Sequence, residues 1–348
     1  MILYTVMFFN KKNMIHYIIA FGTIFAVTSL ITKAKGSKNE SDEHRLIQDY
    51  LLNESPLYGY NRPKLWIHSK YEINARKWKD YSSRNTKDLN QPYIHLTIKT
   101  IINHCGDDFN ICLIDDESFN KLIPSWDVNV NNMAEPMKSQ YRELGMARLL
   151  EIYGGMVIPN TFVCTKNLKS FYDENISNGN PFVCENINKT CNRDTITNAF
   201  VPSTYIMGSP CGNSTMTEFV ECLMKLNSSP HFSGETEFTG SIQHKCIELI
   251  RDNKMNLVGG EEVGVKTNKR KAILLDDLME EAYLDINNSA VGIYIPSNEI
   301  INRTKYQWFA SLTCANLLKS KLIISKYILV SLDKSNEYYK PKQSVVTI

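Results

Sequence analysis

Residues 147–168 read ARLLEIYGGMVIPNTFVCTKNL, and this stretch decides the fold class. Its first part continues a predicted helix over residues 136–153, whose apolar surface is formed by Leu144, Ala147, Leu149, Leu150 and Ile152. Gly154 and Gly155 end that helix. Residues 156–158 (MVI) then form a short buried strand, and Pro159-Asn160-Thr161 follow at once. The stretch predicts a helix that packs on the strand that follows it, as in α/β proteins.

The same alternation extends to both sides of this stretch. Residues 63–68 (PKLWIH) and 109–114 (FNICLI) are predicted to be buried strands, with a helix over residues 92–104 between them. Further strands are predicted at residues 204–208 and 292–296, and further helices at 217–226, 241–251, 274–283 and 306–332. This order predicts an α/β fold with a mostly parallel, Rossmann-like sheet flanked by helices.

Composition excludes some classes of protein. The chain has 348 residues, is 43% hydrophobic and carries a formal net charge of +2. A core of ordinary size can form, and the small net charge argues against a nucleic-acid partner. The nine cysteines form no CxxC pair, so a structural zinc site has little support. Cys184 and Cys191 are the best candidates for a disulfide, with reduced thiols as the alternative.

An apolar segment near the N-terminus predicts a membrane anchor. Residues 15–32 (IHYIIAFGTIFAVTSLIT) contain no acid, lysine or arginine. As a helix they would reach about 27 Å, enough to cross a bilayer core. A cleaved signal peptide and a buried helix are the alternatives, although residues 32–36 (TKAKG) make a poor cleavage site. Several N-x-[ST] sequons suit a luminal domain. We therefore expect a single-pass membrane protein, with its domain in the lumen of the secretory pathway.

The domain organisation follows from these segments. We predict a short tail at residues 1–14, the transmembrane anchor at 15–34 and a stem at 35–60. One domain occupies residues 61–335, and a polar tail occupies residues 336–348.

The ends of the predicted strands locate the chemistry. In parallel α/β sheets, ligands bind outside the carboxyl ends of the strands. His68 ends the first strand, Asp115-Asp116 follow the second, and Pro159-Asn160-Thr161 follow the third. We expect these ends to meet around one crevice. The alternative for the acids is the first turn of a helix, and for His68 a structural role.

Residues 147–168 resemble the helix–YGG–strand–DxD element of sugar-nucleotide glycosyltransferases of the DXD sugar-binding and capsular polysaccharide synthesis type. Residues 63–68 and 109–116 resemble the opening strands of that family. The resemblance implies a GT-A-like fold, with a nucleotide sugar and a glycan or protein acceptor as partners. Asp115 and Asp116 are then the predicted catalytic residues. The predicted nucleotide-sugar contacts are Ile67, His68, Arg142, Arg148, Tyr153, Gly154, Gly155, Asn160 and Thr161.

Two departures from the family affect the predicted chemistry. The acidic D-x-D, which holds a divalent metal in the family, falls on Pro159-Asn160-Thr161. The family's Asp–Arg pair falls on Glu143 and Met146. Mg²⁺ and Mn²⁺ prefer charged oxygen ligands, so no metal is predicted unless Asp115 and Asp116 hold one.

Two functional hypotheses follow, and a third remains as a structural alternative. The first is a membrane-anchored glycosyltransferase that moves a sugar from a nucleotide donor to a glycan or protein. The second is a catalytically inactive glycosyltransferase-like module with a binding or structural role. The third is an unrelated α/β protein in which YGG is only a helix end. A serine hydrolase and a dinucleotide-binding fold are disfavoured, because the chain lacks G-x-S-x-G and G-x-G-x-x-G.

Overall fold

The computed structural model describes residues 62–69, 91–188, 199–228 and 235–333. All of these residues belong to one compact unit, Asp49–Ile348. Its strands are β1 (Lys64–His68), β2 (Asn110–Ile114), β3 (Gly155–Val157), β4 (Phe162–Cys164), β5 (Phe182–Ile187), β6 (Phe200–Ser209), β7 (Asn256–Val258) and β8 (Gly292–Tyr294). Its helices are α1 (Tyr93–Cys105), α2 (Ser118–Leu122), α3 (Met137–Tyr153), α4 (Lys169–Asn175), α5 (Ser214–Ser228), α6 (Glu235–Arg251), α7 (Leu275–Leu278), α8 (Ser297–Asn302), α9 (Gln307–Ala310), α10 (Cys314–Lys319) and α11 (Ile323–Leu332).

Six strands form one sheet in the order β2-β1-β3-β6-β5-β7. β1 pairs in parallel with β2 and β3, and β5 pairs in parallel with β7. β6 is antiparallel to both of its neighbours, so within this sheet it runs against the other five strands. The predicted mostly parallel sheet is confirmed, with β6 as its antiparallel member. β4 and β8 form a separate antiparallel pair.

Helices cover both faces of the sheet. The chain moves from β1 through α1 to β2, and then back across β1 through α3 to β3. Right-handed crossovers in opposite directions place α1 and α3 on opposite faces. On one face, Trp66 and Val157 pack with apolar residues of α3, α5 and α6. Leu65 and Ile67 alternate with Trp66 and are completely buried, which explains why β1 is apolar throughout its centre.

Several predicted elements are confirmed and others are corrected. The three predicted N-terminal strands and the helices at 92–104 and 136–153 appear within two residues of their predicted bounds. The predicted helix at 274–283 is reduced to α7, because the Glu280 carbonyl accepts a hydrogen bond from the Ile323 amide at the start of α11. The predicted helix at 306–332 is divided into α9, α10 and α11. Thr313 begins α10 by accepting a hydrogen bond from the Asn316 amide through its side chain.

The prediction of a single-pass membrane protein is corrected. In the part of the chain that the structure describes, no helix is both long enough and apolar enough to cross a bilayer. α3 and α6 have 17 residues each and carry charged side chains, whereas a crossing needs about 20 mostly apolar residues. The predicted tail, anchor and stem at residues 1–60 lie outside the described residues, and so does the tail at 336–348.

The described cysteines are free thiols. Cys184 is buried and unbridged, and Cys191 lies outside the described residues. For Cys184, the structure therefore agrees with the alternative of a reduced thiol.

Candidate functional site

The winding of the sheet reverses between β1 and β3. From β1 the chain leads to β2 on one side, whereas from β3 it leads away to the other side. In open α/β sheets such a reversal leaves a crevice at the carboxyl edge, where ligands bind. The order β2-β1-β3 confirms that the three strands carrying the predicted site residues at their ends are direct neighbours.

A charged cluster joins the ends of β1 and β2 to α3. Arg142 Nε donates to Asp116 Oδ1 at 2.7 Å, and Arg142 Nη2 donates to Asp116 Oδ2 at 2.6 Å. His68 Nε2 lies 3.0 Å from Asp116 Oδ1, and the His68 ring stacks on Phe119. Arg142 and Asp116 are both buried. Both oxygens of the Asp116 carboxylate are thus used to hold Arg142 and His68 in place.

The surroundings of Asp116 decide its ionisation. Burial by itself would raise its pKa, but the hydrogen bonds and charges of Arg142 and His68 outweigh burial. They hold the pKa of Asp116 well below its usual range. Asp116 is therefore a paired carboxylate anion at neutral pH, and the catalytic role predicted for it stays a prediction.

Asp115, the second predicted catalytic acid, has a different role. Its Oδ1 accepts hydrogen bonds from the Ser118 amide at 2.9 Å and from Ser118 Oγ at 2.7 Å. Ser118 is the first residue of α2. Asp115 thus stabilises the start of α2, as the alternative interpretation of these acids expected.

A second carboxylate reaches the same edge from α3. Glu143 Oε1 accepts a short hydrogen bond from Thr204 Oγ1 of β6. Burial raises the pKa of Glu143, and the hydrogen bond from Thr204 partly opposes that rise. Sequence reasoning treated Glu143 only as a departure from the family and did not place it in the site. A signal was present, because Glu143 follows Arg142 directly at the start of a helix that leads into a central strand.

The beginning of α3 therefore lies across the edge of the sheet. Arg142 reaches Asp116, the second residue after β2, and Glu143 reaches β6. The ends of β1 and β3 lie between those two strands in the sheet order. The adjacent side chains of Arg142 and Glu143 thus stand on either side of the reversal between β1 and β3.

Residues 159–161 use their polar groups within the protein. The Asn160 carbonyl accepts a hydrogen bond from Thr97 Oγ1 of α1. Thr161 is 1% exposed, and its Oγ1 donates to the Ile295 carbonyl at 2.8 Å, next to β8. Pro159 offers no side-chain ligand. Residues 159–161 thus fasten the main sheet to the β4–β8 pair.

The remaining predicted contacts lie elsewhere or are buried. Tyr153, Gly154 and Gly155 connect the end of α3 to the amino end of β3, which is the opposite edge of the sheet. Tyr153 Oη donates to the Leu122 carbonyl at 2.6 Å. Arg148 pairs with Glu151 of its own helix at 3.1 Å, and Ile67 is fully buried. The structure brings together His68, Asp116 and Arg142 and separates them from the YGG residues.

The donor groups at this edge do not suit a divalent metal. Within the described ranges, no three His, Cys, Asp or Glu side chains are grouped closely enough to share an ion. Asp116 is neutralised by Arg142, Asp115 binds Ser118, and residues 159–161 carry no carboxylate. The fit of Mg²⁺ or Mn²⁺ to these residues is therefore poor.

Comparisons with known proteins give weak likenesses. No protein-family profile matches the sequence, and no curated protein matches it. Similar solved structures include the glycosyltransferase GlyE of Streptococcus pneumoniae TIGR4, at 9% identity and a TM-score of 0.37, covering 78% of this chain and 64% of that one. The PaToxG glycosyltransferase gives 12% identity and a TM-score of 0.32, covering 55% of this chain and 72% of that one.

The galactosyltransferase LgtC, solved with donor and acceptor sugar analogs, gives 8% identity and a TM-score of 0.33, covering 74% of this chain and all of that one. The matched region spans less than two thirds of the GlyE chain in that structure. A second match, to the apo form of GlyE, spans 46% of that chain. Likenesses of this size do not establish a shared activity.

Proposed function

We propose that this chain is a glycosyltransferase-like protein that binds a nucleotide sugar at the carboxyl ends of β1, β2 and β3. It would transfer the sugar to a glycan or protein acceptor. The observation that carries the proposal is the reversal of winding between β1 and β3, with Arg142 and Glu143 on either side of it. The resemblance of residues 147–168 to sugar-nucleotide glycosyltransferases supports it independently.

The proposed reaction takes place without a metal at residues 159–161. The bond between the anomeric carbon and the diphosphate oxygen breaks, the acceptor oxygen bonds to that carbon, and the acceptor's proton passes to the Glu143 carboxylate. The departing diphosphate needs positive charge or hydrogen-bond donors. Arg142 and His68 are the basic groups at the ends of β1 and β2, and Asp116 fixes the orientation of both.

Glu143 is the carboxylate that we assign to the sugar. Its pKa is raised by burial, and a hydroxyl of Thr204 holds it rather than a cation. A carboxylate whose pKa is raised is a stronger base than an ordinary carboxylate. It can also accept a hydrogen bond from a sugar hydroxyl. Glu143 falls where the resemblance places the family's aspartate.

A second candidate is a non-catalytic module that binds the same ligand. The observation that favours it is the engagement of Asp115 and Asp116 in contacts that stabilise the fold. The two candidates differ in turnover and share the binding site.

The experiment incubates the full chain with a panel of UDP- and GDP-sugars in EDTA, and measures binding and nucleotide release. Glu143→Gln removes the ionisable group and keeps the size of the side chain. Glu221→Gln is the matched control, since Glu221 is an exposed glutamate on α5. We expect binding by the wild type in EDTA, with release reduced at least tenfold in Glu143→Gln and unchanged in Glu221→Gln.

The outcomes separate the candidates. Binding without nucleotide release from any donor supports the non-catalytic module. Failure to bind any member of the panel refutes both candidates.

A further inference from the structure

Two tyrosine rings meet beside residues 159–161. Tyr205 of β6 and Tyr294 of β8 have ring centroids 5.8 Å apart and ring planes inclined by 30°. Tyr294 is paired with Phe162, the residue after Thr161. The rings therefore come from the two separate sheets, which residues 159–161 connect.

β6 extends beyond the end of β3 and carries Tyr205 to the carboxyl edge. The last pair between these strands is Val157 with Met207. Because the strands are antiparallel, residues of β6 before Met207 continue past the end of β3. Tyr205 thus lies just outside β3, at the edge where His68 and Asp116 also lie.

The two faces of β6 differ at this point. Thr204 bonds to Glu143 on the face covered by α3. Residues 204–206 bulge from the ladder with β5, because Val183 pairs with Met207 and the next residue, Cys184, pairs with Ser203. Within this bulge the Tyr205 ring lies against Tyr294 of β8. Tyr205 is 41% exposed. A large aromatic side chain is thus presented to solvent at the candidate site, with a second ring behind it.

We propose that Tyr205, supported by Tyr294, is an aromatic platform on which an uncharged ring of the bound nucleotide sugar stacks. This inference rests on the proposed function and adds a specificity residue to its site. An aromatic face gains free energy when it covers a ring that would otherwise meet water. Contact with Tyr294 limits the motion of Tyr205, so less entropy is lost on binding.

The chemistry next to Tyr205 suits a ring better than a phosphate. The Tyr205 amide donates to Ser203 Oγ, and the residue before Tyr205 is Thr204. Ser203 and Thr204 are uncharged, whereas the basic groups Arg142 of α3 and His68 of β1 lie with Asp116 beside the ends of β1 and β2. The diphosphate is thus assigned to the basic side of the edge and the stacked ring to the Tyr205 side.

The test measures affinity by calorimetry for the full chain and three variants. Tyr205→Ala removes the ring, and Tyr205→Phe keeps it. Tyr283→Ala is the matched control, since Tyr283 is 80% exposed and is not assigned to the site. The probes are UDP and GDP, together with UDP-glucose, UDP-galactose and GDP-mannose.

We expect Tyr205→Ala to weaken binding of the nucleotide sugars about tenfold, a typical effect of one stacked ring. Tyr205→Phe and Tyr283→Ala should bind within twofold of the wild type, and all three variants should melt near the wild-type temperature. If Tyr205→Ala loses affinity for the nucleotide sugars but not for UDP or GDP, the stacked ring is the sugar. Equal loss for UDP or GDP alone identifies it as the base, and both results support the platform.

Two results would overturn it. Equal affinity of the wild type and Tyr205→Ala would refute the platform and leave the proposed function standing. Absence of wild-type binding to every probe would refute the proposed function and the platform together.

Discussion

Gly155 lets the backbone at the start of β3 pass directly against the backbone of β1. Its φ is +97°, and a Cβ atom there would lie 2.1 Å from the Lys64 carbonyl oxygen of β1. Both the backbone conformation and the space require glycine. The YGG sequence thus has a structural explanation at the junction of α3 and β3.

Gly155→Ala should lower the free energy of unfolding by about 3 kcal/mol, because it adds a backbone clash to an unfavourable φ. Gly179→Ala is the matched control. Its φ is +81°, but no atom lies within 4 Å of the added Cβ. The control should lose only about 1 kcal/mol. Urea unfolding of both variants checks the prediction, and equal losses would contradict it.

The ionisation of Asp116 in the candidate site makes the stability of the folded protein depend on pH in the acid range. Its pKa is lowered in the folded protein, mainly by Arg142 and His68 acting against burial. Its stabilising effect is fully present above the unfolded pKa of about 4. The effect is lost as the pH falls below that value towards the folded pKa.

Asp116→Asn should therefore lower the free energy of unfolding at pH 7 by about 3 kcal/mol, since the buried Arg142 loses its two-point ion pair and keeps the longer contact of 3.6 Å with Glu135. The difference from the wild type should narrow as the pH falls from about 4 to 2. Unfolding curves across that range test this. The exposed Asp252→Asn should change stability by less than about 0.5 kcal/mol. A difference for Asp116→Asn that does not depend on pH would contradict the assignment.

At the scale of elements, residues 159–161 join two sheets. Thr161 is buried, and its hydroxyl donates a hydrogen bond to the Ile295 carbonyl beside β8. The Asn160 carbonyl accepts a hydrogen bond from the Thr97 hydroxyl of α1. This segment fixes β8 and α1 against the end of β3. An acid in place of the buried Thr161 would point into the protein.

Thr161→Asp should lower the free energy of unfolding by about 3 kcal/mol or more, because it buries a carboxylate without a partner. Thr161→Ser keeps the hydroxyl and should lose about 1 kcal/mol. Thr217→Asp is a control on an exposed first-turn residue of α5, where a negative charge is favourable. Thermal unfolding distinguishes these cases. A stable Thr161→Asp variant that gains Mn²⁺ binding would contradict the structural role.

At the scale of the whole molecule, the carboxyl edge of the sheet combines positive, acidic and aromatic groups from distant parts of the chain. Arg142, His68, Glu143 and Tyr205 reach it from α3, β1 and β6. The carboxylates of the edge are held by hydrogen bonds within the protein. Ligand binding there should depend on these side chains and little on a divalent ion.

EDTA should therefore leave the increase in melting temperature caused by a nucleotide sugar unchanged to within about 1 °C. Ligand binding to the folded state raises that temperature by mass action. Differential scanning calorimetry with EDTA, with Mn²⁺ and with Mg²⁺ makes the comparison. A shift seen only with Mn²⁺ would contradict the metal-free site.

The sequence by itself determined the elements that depend on local patterns. The apolar runs gave β1 and β2, helical spacing of apolar residues gave α1, and two glycines marked the end of α3. β4 and β7 were not predicted, although β3 and β8, which were, have the same length of three residues. The antiparallel direction of β6 also carries no local signal, because strand direction depends on its neighbours in the sheet.

Only the tertiary structure decided what the polar side chains do. The acids 115 and 116 are adjacent in sequence, yet one binds Ser118 of α2 and the other binds Arg142, 26 residues away. Glu143 meets Thr204 across 61 residues, and Tyr205 meets Tyr294 across the two sheets. Residue type and spacing predict that such groups need partners. The choice of partner depends on which strands lie side by side, and long-range packing sets that order.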